Sequence, residues 1–330
     1  VEGQITKRHP DYQINDRIHL EHINFEKGTV NIHGKDYKMM DMNFPTIDPK
    51  DPLKLTKEEQ ELINSLALSF RHSETLHRHI RFVYSHGAMY KRCNSNLLYH
   101  GCIPMKEDGT FEELKLKGII YSGKRLLDYL EDVVKMAYFL PDDDPTKDWY
   151  RDFMWYLWCG RNSSVYGKSK MSAFEGYFIE GTDARKEIYN PYYKLSNDEK
   201  ICDMIFCEFG LNPDTSHIIN GHVPVKLKDG ESPVKANGKL YVIDGGISKA
   251  YRTKTGIAGY TLIFNSHHIA LAEHTIASKD RVLAGQNSYI NYKVSPVMKI
   301  TERMKERVRV ADTDTGAMLR ERIKDAGKSI

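Results

Sequence analysis

The chain has 330 residues, of which 40% are hydrophobic and 28% charged, and a formal net charge of +3. That length and balance suit one large globular domain or two ordinary ones, and so small an excess of cation argues against a nucleic-acid binder. No stretch is apolar for long enough to span a bilayer, and no signal-peptide pattern is recognisable.

The opening Val1-Glu2-Gly3-Gln4-Ile5-Thr6-Lys7-Arg8 reads as a segment already under way, so we expect residues to have preceded Val1. Residues 18–40 read as β structure: Ile18, Leu20, Ile23 and Phe25 lead to a Lys27-Gly28 turn, and Val30 and Ile32 alternate before His33-Gly34-Lys35. Pro45, Pro49 and Pro52 mark a loop. Thr56 with Glu59 forms a capping box, which predicts a long amphipathic helix through about Ser85, with His72, His77 and His79 on a solvated face. Leu97 to Tyr99 is a short strand ending in His100, followed by a turn at Lys106-Glu107-Asp108-Gly109.

Leucines and valines at helical spacing predict a helix over 123–139. Asp142-Asp143-Asp144-Pro145 ends it, and loop aspartates before a proline read as a capping turn rather than a metal site. Residues 147–159 form an aromatic helix whose Trp149, Trp155 and Trp158 read as core or interface. Ser196 with Glu199 is a second capping box, and Gly210 stops that helix. Ile218-Ile219 runs into Gly221-His222, and Lys239 to Ile243 runs into Asp244-Gly245-Gly246. Residues 258–264 and 267–273 are two adjacent strands, and the charged tail from Thr301 is expected to be helical. Cys93, Cys102, Cys159, Cys202 and Cys207 are odd in number and include no CxxC pair, the usage of reduced thiols in a cytoplasmic protein. Cys202 and Cys207 share one helix and are expected to pack rather than react.

Three strand ends carry His100, His222 and Asp244, each beside a glycine. Ligands bind at such edges in open α/β sheets, and an imidazole there can meet a divalent metal. Lys226, Lys228, Lys235, Lys249 and Arg252 surround the last two, and a metal edge flanked by cations suits a phosphorylated substrate. Read singly, the histidines are equally ordinary strand-end residues and the lysines ordinary surface charges. Two neutral imidazoles also do not hold a pair of hard divalent ions, which need carboxylates. Asp-x-His, Gly-Asp-x-x-Asp and Gly-Asn-His are all absent from the chain.

Long runs nevertheless carry a resemblance. Ile218-Ile219-Asn220-Gly221-His222-Val223-Pro224, Gly230-Glu231-Ser232-Pro233-Val234-Lys235, Val242-Ile243-Asp244-Gly245-Gly246-Ile247-Ser248-Lys249-Ala250-Tyr251, Leu97-Leu98-Tyr99-His100-Gly101-Cys102-Ile103-Pro104 and Trp155-Tyr156-Leu157-Trp158-Cys159-Gly160 resemble the class III fructose-1,6-bisphosphatases of Firmicutes. The resemblance covers nearly the whole chain and is weakest over 276–298. It implies the calcineurin-like metallophosphoesterase superfamily: an α/β fold with a β-sandwich flanked by helices and a two-metal site at the strand ends. The superfamily's motifs run Asp-x-His, Gly-Asp-x-x-Asp, Gly-Asn-His and then two histidines near glycines. His100 matches the penultimate histidine and His222 the last, so both are implied metal ligands, with Asp244 near the site. The resemblance further implies manganese, cytoplasmic gluconeogenesis, and hydrolysis of fructose 1,6-bisphosphate to fructose 6-phosphate and phosphate. Lys226, Lys235, Lys249 and Arg252 become candidates for holding its phosphates.

The first three motifs belong to the family's front half, so this chain is expected to be the carboxy-terminal half of the enzyme. The general acid and the remaining ligands would lie in the missing amino-terminal half, and that half would be a partner, with a homo-oligomer also open. On this reading residues 1–92 form a β-hairpin segment and long helix, 93–275 the half-core with a helical insertion at about 120–210, and 276–330 a tail. A rival reading from another class is a non-catalytic module with an exposed sheet edge. A third is a related phosphoesterase with another substrate.

Overall fold

The structure is a computed structural model that describes residues 2–246, 254–257, 259–274 and 297–327. It is a mixed α/β arrangement with several separate sheets. The residues group into two compact units, Val1–Met89 with Ile103–Tyr192 and Tyr90–Cys102 with Tyr193–Ile330. These cut the chain differently from the three sequence segments, because the hairpin 90–99 groups with the residues after 192 and not with the helices before it. Among the described residues no helix is long and apolar enough to cross a membrane.

In the first unit, Ile23–Asn24, Thr29–Ile32 and Lys35–Lys38 form an antiparallel meander. Gly28 at φ 63° and the His33-Gly34 pair at φ 50° and 82° make the turns, since left-handed backbone costs glycine nothing. Val30 and Ile32 alternate inward onto Met39, Ile179 and Ala184. Ile18 and Leu20 do not extend this sheet. They lie beside the tight turns Asn15–Arg17 and Leu20–His22, where the Arg17 guanidinium donates to the carbonyls of Cys159 and Ser169.

The Thr56 capping box forms as expected, with Glu59 N donating to Thr56 Oγ1 at 3.2 Å and Thr56 N to Glu59 Oε2 at 2.8 Å. The single long helix does not form. It is two helices, Lys57–Arg71 and Glu74–His86, because the Ser73 hydroxyl accepts from Leu76 N and starts the chain afresh. Serine competes for backbone groups inside a helix and favours its amino end. His72, His77 and His79 are exposed, as predicted.

Gly123–Phe139 and Lys147–Cys159 match their predicted bounds. The first buries Leu126, Leu127, Leu130 and Val133, and the second buries Phe153, Tyr156 and Leu157. Between them Asp144 accepts from both the amide and hydroxyl of Thr146, while Asp142 pairs with Lys147 and Arg151. The acidic triplet therefore forms a hydrogen-bonded turn ahead of the helix, whose N-cap residue Thr146 makes no side-chain cap. Trp149 and Trp155 are half-buried, but Trp158 is 63% exposed and lies outside the core. It falls on the opposite side of the helix from Phe153 and Tyr156.

The second unit is built on a five-stranded sheet in the order Tyr90–Cys93, Asn96–Tyr99, His217–Asn220, Leu240–Val242, Val234–Lys235. The three central strands run parallel, in the register Leu97↔Ile218↔Leu240, and the two edge strands run antiparallel. Every residue of His217–Asn220 is buried, as a central parallel strand requires. The helix Glu199–Glu208 is capped by Asp198, whose carboxylate accepts from Lys200 N, and not by Ser196. Ser196 is buried upstream, and its carbonyl accepts from the Cys202 thiol. Gly210 at φ 66° does end this helix, with Leu211 N closing onto Phe206 O at 2.8 Å. Cys202 packs as expected, but Cys207 is exposed.

Gly259–Phe264 and His268–His274 form the expected hairpin. The tail departs from its prediction, since Val297–Arg303 is a third strand on His268–His274 and the helix begins only at Asp314. This second sheet meets the first. Tyr241 Oη lies 3.2 Å from Thr301 Oγ1, and His217 Nε2 lies 2.8 Å from Glu302.

Candidate functional site

The three central strands of the second unit are parallel, so their carboxyl ends share one edge, and His100, His222 and Asp244 all lie there. Backbone bonds tie the three strand ends together. Gly221 N donates to His100 O at 3.0 Å, Ile243 N to Asn220 O at 2.9 Å and Val225 N to Asp244 O at 2.8 Å. The Asn220 amide also reaches Gly101 O at 3.4 Å. A Cβ on Gly221 would stand 3.6 Å from Asp244 Cβ, so Asp244 flanks the turn that carries His222.

His100 Nε2 lies 3.0 Å from His222 Nδ1, with the rings 4.9 Å apart at 71°. With metal–nitrogen bonds of about 2.1 Å, two nitrogens at right angles on one ion stand about 3.0 Å apart. The pair therefore fits two neighbouring positions of a single coordination sphere. His222 has φ 68°, in the left-handed region that costs any side chain with a Cβ. Backbone held in such a state belongs to positions that the surroundings over-determine, as functional sites do. Asp244 Oδ1 accepts from Gly246 N at 2.8 Å and so closes the glycine turn after its strand. Among the described residues no three histidine, cysteine, aspartate or glutamate side chains form a group that could hold a metal ion.

The cations fall in different places. Lys226 is exposed and adjoins Val225, the residue bonded to Asp244, and its own amide donates to Glu231. Lys228 lies in the same loop and runs past Gly256. Lys235 pairs with Leu240, at the amino end of the parallel strands. Asp244 lies four residue steps beyond Leu240, about 13 Å of strand at roughly 3.3 Å per residue. Lys235 is thus not brought to the histidine pair. Lys249 and Arg252 lie outside the described residues.

Sequence reasoning passed over a set of buried charges in the first unit. Glu175 is 1% exposed and pairs with Lys170 at 2.7 Å, with His19 at 3.6 Å. Burial alone would raise its carboxyl, but the His19 imidazole and Lys170 ammonium hold it down at about 2. Asp152 likewise accepts from Arg8 Nε and Nη2 and meets His9 Nε2. A cavity of about 870 Å³ in this unit is lined by Arg17, His19, Phe44, Lys54, Trp155 and Phe174, among others. The one signal in the sequence was Glu175 itself, a charge set between Phe174 and the apolar run to Ile179.

A family model described as Firmicute fructose-1,6-bisphosphatase matches residues 1–328. A fructose-1,6-bisphosphatase class 3 of Finegoldia magna is 49% identical over 326 residues, which is 98% of this chain and 49% of that protein. The class 3 proteins of Clostridium novyi and Fusobacterium nucleatum are 50% and 48% identical, over 98% and 99% of this chain and 48% and 50% of theirs. The chain spans about half the length of the curated relatives it matches. No solved structure matches it.

Proposed function

We propose, because this chain belongs to the Firmicute fructose-1,6-bisphosphatase family, that it contributes one edge of the active centre of an enzyme hydrolysing fructose 1,6-bisphosphate to fructose 6-phosphate and phosphate. The observation that carries this reading is the pairing of His100 Nε2 with His222 Nδ1 at 3.0 Å on the carboxyl edge of a parallel sheet. Both imidazoles would hold manganese, which when bound polarises a phosphoryl oxygen and acidifies a water. Gly221 N, bonded to His100 O, fixes the spacing of the two rings, and the left-handed backbone at His222 turns its ring toward His100. Lys226 is the described cation best placed to meet a phosphate, one residue from the bond to Asp244.

The carboxylate ligands and the general acid would come from polypeptide outside these 330 residues. Support for that is the donor count, two imidazoles without a converging carboxylate among the described residues, together with coverage of about half of each relative. The chain would then be the carboxy-terminal half of a split site. The two sheets that meet at Tyr241–Thr301 and His217–Glu302 would be its share of a metallophosphoesterase β-sandwich. Free thiols agree with a cytoplasmic setting. The donor count also favours a second reading, a module that binds but does not turn over when alone.

The test is phosphate release from fructose 1,6-bisphosphate with manganese. It is run on this chain alone and with the rest of a class 3 relative supplied, in wild-type and His222→Ala forms. Turnover that needs both parts and is lost in His222→Ala is expected. Turnover unaffected by His222→Ala would overturn the assignment of the site, and none in the complete mixture would overturn the substrate.

A further inference from the structure

The helix Lys57–Arg71 carries an apolar face that the described residues leave largely exposed, with Ile63 at its margin also lining the cavity beside Phe44 and Trp155. Leu62, Ile63, Leu66 and Phe70 fall within an arc of about 100° at 100° per residue, and they are 60%, 46%, 52% and 65% exposed. No residue of this helix is buried. The next helix, Glu74–His86, also has no fully buried residue and leaves Phe82 and Val83 62% and 53% exposed, but its Tyr84 makes a cross-helix contact. Tyr84 meets the Tyr138 ring at 5.2 Å, and Tyr138 Oη donates to His77 O. Helices of this length are marginal in water by themselves and draw their stability from a packed face. A contiguous exposed apolar stripe on a helix sealed at its start by a full capping box has the form of an interface element.

We propose that Leu62, Ile63, Leu66 and Phe70 are the seat for the polypeptide that makes up the unmatched half of the family's length. The proposal rests on the reading of this chain as part of a longer fructose-1,6-bisphosphatase. The curated relatives carry about as much chain again as they share with this one, a body with surface enough to cover the stripe. The stripe offers four large aliphatic and aromatic side chains at i, i+1, i+4 and i+8, the spacing with which a helix fills a groove.

The test mixes the full 330-residue chain with the part of the Finegoldia magna relative that lies outside the match and measures association by sedimentation and fluorescence anisotropy. Leu66→Glu with Phe70→Glu is expected to weaken association at least 100-fold. Leu68→Glu, on the opposite side of the same helix and 52% exposed, is expected to change it by less than about threefold. All substituted positions are exposed, so circular dichroism should be unchanged. Wild-type association by the double variant overturns the proposal, as does failure of the two wild-type polypeptides to associate. Self-association of this chain alone that the double variant abolishes overturns it in favour of a second copy. Phosphate release in the same mixture separates this from the functional reading. Association without turnover leaves the seat standing and removes the activity, whereas turnover with unimpaired binding of the double variant does the reverse.

Discussion

His222 offers a test of whether its backbone serves a site or merely ends a strand. Its φ of 68° is one that an L-residue adopts at a cost of about 1–2 kcal/mol. His222→Ala and His222→Gly both remove the imidazole and the 3.0 Å contact to His100, so those losses cancel between the two variants. They differ in the backbone term. Alanine keeps the left-handed cost and glycine abolishes it, while glycine's greater freedom in the unfolded chain returns about 0.5–1 kcal/mol. The glycine variant should therefore be the more stable by about 0.5–1 kcal/mol, read as the difference in urea midpoints at equal slope. Manganese binding by the mixture with the rest of a class 3 relative, followed by electron paramagnetic resonance, should be lost equally in both. If alanine proves as stable as glycine, the left-handed turn is not enforced by the bonds around Gly221 and Asp244, and the argument from strain fails. If manganese binding survives in either variant, His222 is not a ligand.

Acid should expose the buried charges of the first unit. The Glu175 carboxyl is held at about 2 against an ordinary 4.5, so its contribution is complete above pH 4.5 and disappears as pH falls toward 2. The difference of 2.5 units corresponds to about 3 kcal/mol, and Glu175→Gln should flatten the fall in urea-unfolding stability across that window. Thr56→Ala removes the acceptor for Glu59 N and should cost about 1 kcal/mol by the same measurement, with helicity lost from Lys57–Arg71. Iodoacetamide at pH 8 followed by mass spectrometry should label the exposed Cys93 and Cys207 and spare Cys102 and Cys202, whose thiols burial pushes up to about 12. Labelling of Cys202 before Cys207 would contradict the packing of the helix Glu199–Glu208.

What the sequence disclosed was local. The capping box at Thr56, the helices 123–139 and 147–159 and the stop at Gly210 each rest on residues within one or two turns of one another, and each formed where read. The failures are of two kinds. The unbroken helix to Ser85 and the cap at Ser196 gave way to Ser73 and Asp198, because only the folded backbone decides which side chain reaches an amide. Ile18 and Val297–Arg303 departed from the reading because their neighbours are distant in sequence, as in the bond from Arg17 to Cys159 and the pairing of His268 with Arg303.

The candidate site lies between these cases. Both histidines were legible as strand ends beside glycine, yet nothing local says that the two strand ends coincide. Had Asn96–Tyr99 and His217–Asn220 paired antiparallel, His100 and His222 would stand at opposite ends of the sheet, a strand length of four residues apart or about 13 Å. Parallel pairing places them on the same edge, and a parallel pair needs a long connection to bring the chain back to the starting end. Residues 103–192, which form much of the first unit, lie within that connection. The helical segment thus bears on the geometry of the pair, because it lies in the crossover that allows two histidines 122 residues apart to meet at 3.0 Å. The register then decides the rest, setting Asp244 beside Gly221 and sending Lys235 to the far end of the strands.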